Sequence, residues 1–172
     1  MKIAITGTPG VGKTRVAHEL SMVLGFTHVC IAEIAKKVGA IVGKEEESFV
    51  VDTDALSQEL KEMDDIIIDS HFAEMFDADF VFVLRCEPLI LRERLRGRGY
   101  SEEKIKENIM AEMLDYCLVN ALEYYPPEKI FEIHENAAEE ILKIVENPTI
   151  ERSLVNGSRT KFLTEENLAL VE

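Results

Sequence analysis

The chain has 172 residues, and its 33 acidic side chains outnumber the 19 basic ones, which gives a net charge of −14. This length predicts one compact domain, and a hydrophobic content of 47% excludes disorder over most of the chain. No apolar run reaches the roughly 18 residues of a membrane span, and the acidic excess argues against a protein whose whole surface binds nucleic acid.

Short apolar runs then alternate with amphipathic stretches, which is the pattern of βα units around a parallel sheet. Unbroken runs of β-branched and aromatic residues are typical of strands buried on both faces. Strands are predicted over 2–6, 26–31, 66–69, 80–85 and 129–133. Helices are predicted over 15–24, 32–38, 53–63, 89–96, 101–124 and 137–145, with a charged segment at 44–47. The fold class is therefore α/β, a three-layer sandwich with a five-stranded parallel sheet and helices on both faces.

The last segment, residues 147–172, differs from the rest. It starts at Asn147-Pro148 and shows only a short helical pattern near 165–170. A docked tail, a flexible arm and an oligomer contact all remain open from the sequence.

The three cysteines, Cys30, Cys86 and Cys117, are far apart and form no CxxC pair. This spacing excludes a disulfide framework and a zinc knuckle. We expect buried thiols in a reducing cytosol, and the N-terminus lacks the form of a signal peptide, so a cytoplasmic location is expected.

Residues 7–14 read Gly-Thr-Pro-Gly-Val-Gly-Lys-Thr and fit the pattern GxxxxGK[ST] in full. A predicted strand precedes them and a predicted helix follows. Glycines let the backbone wrap around an anion, and the helix N-terminus adds partial positive charge. Lys13 can reach the β- and γ-phosphates, and the Thr14 hydroxyl can bind Mg²⁺. The motif predicts a P-loop that binds a nucleoside triphosphate.

Asp69 ends the apolar run 66–69 at the edge of the sheet where the P-loop is expected, so it can hold Mg²⁺ directly or through water. His71, two residues further on, is predicted to orient a water or the acceptor phosphate as a neutral imidazole. The remaining histidines are interpreted as surface or packing residues: His18, His28 and His134.

Positive charge is concentrated in residues 85–106, which hold seven basic and four acidic side chains. Arg98 stands between two glycines, and a mobile loop that carries an arginine can close over ATP and neutralise the transferring group. Arg85 ends a strand and is predicted to clamp an acceptor phosphate. A solvated helix face is the interpretation for Arg92, Arg94 and Arg96.

Together these residues resemble the nucleoside monophosphate kinases of the P-loop superfamily. Within them the chain is most similar to the adenylate kinase isoenzyme 6 family, also known as the coilin-interacting nuclear ATPases, which has archaeal members described as adenylate kinases. The similar pieces keep the same order over most of residues 1–146: the P-loop, Ile-Asp-Ser-His at 68–71, residues 81–85 and 93–95, Arg-Gly-Tyr at 98–100, residues 106–109, and Glu112.

The resemblance implies a kinase domain over 1–146, with an AMP-binding region near 30–53 and a lid near 98–108. It implies ATP and Mg²⁺ as cofactors and transfer of the γ-phosphoryl group of ATP to AMP or dAMP. It also implies ATPase activity and a role in maturing the small ribosomal subunit through its protein uS11.

The resemblance also implies roles for individual residues. ATP would contact Gly10, Val11, Gly12, Lys13, Thr14, Arg15 and the lid arginine Arg98. Catalysis is expected from Lys13, Arg98, Asp69 and His71, and metal binding from Thr14 and Asp69. In the acceptor region, Glu33 and Lys36 stand where an aspartate and an arginine are expected, and a lysine binds phosphate only as a point charge.

Three functions stay open from the sequence. The leading one is an ATP-dependent kinase of AMP-like nucleotides. An ATPase switch in ribosome assembly is the alternative from another class, and a metabolite kinase on the same scaffold is the third. The absence of an NKxD motif argues against a GTPase. No membrane and no direct nucleic-acid partner are expected.

Overall fold

The computed structural model describes residues 1–45, 48–149, 152–158 and 160–171. Two residues of the predicted AMP-binding region (46 and 47) and four of the tail (150, 151, 159 and 172) lie outside the described residues. The elements in chain order are β1 (Lys2–Thr6), α1 (Lys13–Leu24), β2 (Thr27–Cys30), α2 (Ile31–Val38), β3 (Ile41–Glu45), β4 (Ser48–Val51), α3 (Thr53–Lys61), β5 (Ile66–Asp69), β6 (Phe80–Leu84), α4 (Pro88–Gly97), α5 (Glu102–Met113), α6 (Tyr116–Tyr124), β7 (Ile130–Ile133), α7 (Ala137–Glu146) and α8 (Glu165–Leu168).

Five of the described strands form one sheet in the order β2-β5-β1-β6-β7, and all of its pairs are parallel. Strand β1 lies at the centre. Because parallel strands end at the same edge of a sheet, the residues that follow β1, β5, β6 and β7 come together there. This edge therefore collects the P-loop, Asp69, Arg85 and His134.

Two apolar cores cover the two faces of this sheet. Ile3 and Ile5 belong to one core and Ala4 to the other, as expected for alternating side chains of a strand. The first core holds the inner faces of α1, α4, α5 and α7, and the second holds those of α2, α3 and α6. This arrangement confirms the predicted three-layer α/β sandwich.

The prediction of one long helix over 101–124 is wrong in one respect, because the helix is interrupted between α5 and α6. Asp115 adopts a left-handed conformation with φ of 56°, which is uncommon for a residue other than glycine. Its carboxylate binds Arg85. This interruption of the helix is therefore stabilised by Arg85, which is distant in the chain, and not by a local helix-breaking residue.

The sequence pattern does not predict the hairpin of β3 and β4, because the charged residues at 44–47 interrupt the apolar pattern. The two strands pair antiparallel, with Ile41 opposite Val51. Both side chains pack against the second core. The hairpin belongs to the predicted AMP-binding region.

The predicted lid is short in this structure. Residues 98–101 connect α4 to α5, whereas 102–108 form the first turns of α5, and Ile105 is buried in the first core. Four connecting residues are therefore the part of the predicted lid that is not helical.

The C-terminal tail packs on the domain. Leu154 is buried in the second core and Phe162 in the first. Since these cores lie on opposite faces, the tail passes around the edge strand β7. Ser158 Oγ donates to Glu132 of that strand. Among the described residues, no helix is long and apolar enough to cross a membrane.

Candidate active site

The P-loop packs so closely that a side chain at either of two glycines would force a neighbouring group to shift. A Cβ at Gly7 would lie 2.5 Å from the carbonyl oxygen of Leu84, and one at Gly10 would lie 2.9 Å from Leu91 Cδ1. Both glycines have positive φ, which other residues adopt at a cost. Within the described residues no side chain caps the N-terminus of α1. Its N–H groups are therefore available to an anion.

Lys13 lies over the P-loop. Its Nζ donates to the carbonyl oxygens of Gly7 at 2.7 Å and Thr8 at 3.1 Å. Burial lowers the pKa of Lys13, and the nearby Arg98 cation lowers it further, whereas the carboxylates of Asp69 and Glu112 oppose the shift. The ammonium group is thus held beside two carboxylates and in range of the predicted lid arginine.

Asp69 ends β5 with a nearly buried carboxylate, and His28 Nε2 lies 3.4 Å from its Oδ2. Asp69 and Thr14 line the same cavity. The residues present fit Mg²⁺, because the ion prefers oxygen ligands and takes only one or two from the protein when it is bound with phosphates. No cluster of three His, Cys, Asp or Glu side chains occurs among the described residues, so the structure offers no all-protein cage.

His71 lies at the rim of the same cavity and stacks edge-on against Phe72, with 4.7 Å between ring centroids. Partial desolvation by the rim lowers the pKa of His71, and the positive charges of Lys13 and Lys104 lower it further. A neutral imidazole is therefore favoured, because desolvation and two cations oppose its protonation.

A larger cavity opens on the other side of the P-loop, with a volume of about 670 Å³. Val11 and Arg15 line it from the P-loop side, Arg94 from α4, and the residues after β7 from the opposite side. Arg94 Nη1 donates to the carbonyl oxygen of Val11 at 3.1 Å. This cavity is large enough for a nucleoside.

A smaller cavity of about 300 Å³ lies toward α2 and the hairpin. It contains Lys13 and Asp69 at its polar end, and most of its other lining is apolar. The apolar walls come from α2, the hairpin and the segment after β5: Ile31, Ala32, Ala35, Ile41, Val51 and Phe72. The two cavities thus meet the P-loop from different sides.

The three predicted acceptor residues are not brought together. Glu33 and Lys36 lie exposed on α2 and do not line the smaller cavity. Arg85 is only 5% exposed and lines the larger cavity rather than the smaller one, so its predicted role as an acceptor clamp stays a prediction without support from this geometry. Its guanidinium is bound by three carboxylates instead.

Those carboxylates belong to Glu112, Asp115 and Glu132. Arg85 Nε donates to Glu112 at 2.9 Å and Nη1 to Glu132 at 2.6 Å, while Nη2 binds Asp115. Desolvation alone would lower the pKa of Arg85, but these carboxylates outweigh it and raise the pKa. Glu112 also accepts a hydrogen bond from Thr8 of the P-loop.

Comparison with known proteins places this geometry in a family. A family model described as an AAA domain matches residues 3–115. A protein of Archaeoglobus fulgidus named "Putative adenylate kinase" is 41% identical over 161 residues, which cover 92% of this chain and 84% of that protein. A protein of the same name from Methanocaldococcus jannaschii is 36% identical over 174 residues, which cover 94% of this chain and 96% of its own length. The chain belongs to the P-loop nucleoside monophosphate kinase family.

Solved structures of P-loop kinases share the fold. A deoxyadenosine kinase of M. mycoides superposes with a TM-score of 0.57 at 17% identity, over 86% of this chain and all of that one. A shikimate kinase of Bacteroides thetaiotaomicron gives a TM-score of 0.59 at 16% identity, over 85% of this chain and 98% of that one. At this identity the likeness concerns the fold alone.

Within this P-loop kinase, several residues have places that the sequence did not predict. Arg94 contacts the P-loop, although it was interpreted as part of a solvated helix face. His28 contacts Asp69, although it was interpreted as a packing residue. Phe162 of the tail lines the larger cavity. No local pattern marks Arg94, His28 or Phe162 for these contacts.

Proposed function

We propose that this chain is a nucleoside monophosphate kinase that transfers the γ-phosphoryl group of ATP to AMP or dAMP, with Mg²⁺ as cofactor. The supporting observation is that two cavities meet one P-loop from different sides. The larger can take the nucleoside of ATP, and the smaller has apolar walls for an acceptor nucleoside. The names of the archaeal relatives support the same activity.

In this proposal the chemistry is positioning and charge neutralisation. Lys13 stabilises the negative charge on the transferring group, and Arg98 approaches it from the connection between α4 and α5. Thr14 and Asp69 would hold Mg²⁺, which would supply further positive charge to stabilise the transferring group. No protein nucleophile is needed, because an oxygen of the acceptor phosphate attacks directly. His71, kept neutral, orients that acceptor.

An ATPase is the second candidate, and one observation favours it. No arginine lines the smaller cavity among the described residues. An acceptor phosphate would therefore lack the bidentate partner that arginine offers. Water is then an alternative acceptor. An ATPase role in maturing the small ribosomal subunit with uS11 and membership of the isoenzyme 6 branch remain predictions from the resemblance. A cytoplasmic location remains a prediction from the sequence.

One experiment separates the two candidates. The protein is incubated with ATP, Mg²⁺ and a panel of nucleoside monophosphates, and the products are followed by ³¹P NMR. The kinase yields ADP equally from ATP and AMP, whereas the ATPase yields free phosphate at a rate that no monophosphate changes. Absence of both products would refute the proposed function.

A further inference from the structure

The larger cavity has one wall that comes from outside the P-loop kinase core. Phe162 belongs to the tail, yet it lines this cavity together with Arg15, Arg94 and His134. Among the described lining residues it has the only carbocyclic aromatic ring. The rest of the lining is aliphatic, polar or charged.

Contacts with neighbouring side chains fix the position of Phe162. Its ring is 5% exposed and packs in the first core. The Arg85 guanidinium lies over one ring face, 5.1 Å from the centroid. The His134 ring meets it at 77°, with 6.5 Å between centroids. The ring therefore belongs to a packed layer at the carboxyl edge of the sheet.

The chain on either side of Phe162 is also anchored. Upstream, Thr160 Oγ1 lies 2.7 Å from His134 Nε2. Downstream, Asn167 Nδ2 donates to the carbonyl oxygen of Phe162 at 2.8 Å, and the Thr164 side chain caps α8. Further on, Leu170 packs against the first core. These contacts hold the aromatic ring in place.

The orientation of a triphosphate on the P-loop decides what would meet this ring. With the γ-phosphate at Lys13, the remaining phosphates would run along the N-terminus of α1 toward Arg15. The nucleoside would then extend into the cavity, which Arg15 and Phe162 both line. An aromatic ring at this place offers a stacking partner, and such stacking stabilises any base.

We propose that Phe162 forms a wall of the ATP base site, so that the C-terminal tail is part of the nucleotide-binding site. This inference rests on the proposed function, because it takes ATP as the ligand of the P-loop. It assigns the tail a role in affinity for the base and none in affinity for the phosphates.

The test compares a ligand that has a base with one that lacks it. Calorimetry measures the affinity of the wild-type protein for magnesium-loaded ATP and for magnesium-loaded inorganic tripolyphosphate. The variants are Phe162→Ala and Phe162→Leu, the second of which keeps an apolar side chain in the core. The matched control is Leu163→Ala, since the neighbouring Leu163 is 55% exposed.

We expect Phe162→Ala to bind ATP at least tenfold more weakly and tripolyphosphate as tightly as the wild type does. Phe162→Leu is expected to fold, at a small cost in melting temperature, and to lose several-fold in ATP affinity. Leu163→Ala should match the wild type for both ligands.

Three results would overturn the inference while leaving the proposed function intact. One is wild-type ATP affinity in a folded Phe162→Leu protein. Another is an equal loss of ATP and tripolyphosphate affinity in the Phe162 variants, and the third is a wild-type protein that binds both ligands equally well. A wild-type protein that binds neither ligand would instead refute the proposed function itself.

Discussion

Glu112 accepts a hydrogen bond from Arg85 at 2.9 Å, and both side chains are only 2% exposed. The second carboxylate oxygen of Glu112 accepts from Thr8 in the P-loop. Glu112 therefore connects α5, the end of β6 and the P-loop in one buried network. Removing Arg85 or Glu112 would leave the other with an unpaired buried charge. The stability of the fold is therefore expected to be sensitive to single substitutions in this network.

Arg85→Ala is predicted to lower the free energy of unfolding by about 3–5 kcal/mol, the range for breaking a buried ion pair. The substitution leaves the buried carboxylates of Glu112 and Glu132 without their cation. Urea unfolding followed by circular dichroism measures the change. Arg96→Ala is the control, because Arg96 pairs with Glu102 on the exposed surface and should matter little. Equal stability of both variants would contradict the structural role of Arg85.

Lys13→Ala is predicted to lower turnover by roughly 10²-fold or more, in line with ~3 kcal/mol of lost electrostatic stabilisation of the transition state. A coupled assay of ADP formation with ATP and AMP measures the rate. Lys61→Ala is a suitable control, since Lys61 lies exposed in the last turn of α3. A Lys13→Ala protein with a near-normal rate would remove the basis for the proposed mechanism.

The His71 ring is predicted to titrate below its ordinary pKa of 6.5, because of partial desolvation and the charges of Lys13 and Lys104. The unfolded chain then binds more protons than the folded one between the two pKa values, so stability falls as the pH drops below about 6.5. At higher pH both states are neutral and His71 contributes no slope. NMR titration of the ring protons gives the midpoint. His71→Gln should reduce the acid-side slope of stability, and a midpoint above 6.5 would contradict the prediction.

Cys30 is predicted to be the thiol that alkylating agents modify first. It is half-buried and lines the smaller cavity. Burial raises the pKa of Cys117 to about 11 and also raises that of Cys86, so both remain protonated thiols. Peptide mass spectrometry after brief iodoacetamide treatment at pH 8 identifies the modified residue. AMP should slow the modification of Cys30 if the smaller cavity takes the acceptor. Faster labelling of Cys117 would count against this structure of the site.

Much of the fold could be predicted because its signals are local. Strand β6 and the first three residues of β5 are continuous apolar runs, and the GxxxxGK[ST] pattern of residues 7–14 couples β1 to α1. Once the strands are parallel, their carboxyl ends must share an edge, which is why Asp69 could be assigned near the P-loop. The composition, the sheet and the position of the phosphate-binding loop were thus determined by the sequence alone.

The other features of the fold and the site depend on tertiary structure, because the interactions that determine them join residues far apart in the chain. Helix propensity continues through residues 101–124, and the break at Asp115 depends on a charge from Arg85. The same ion pairs occupy the guanidinium of Arg85, and nothing in its place after a strand indicates them. In the sequence, Phe162 cannot be distinguished from other apolar residues. Only the path of the tail around β7 brings it to the larger cavity. Burial, charge pairing and docking of the tail depend on the whole fold, and no local pattern specifies them.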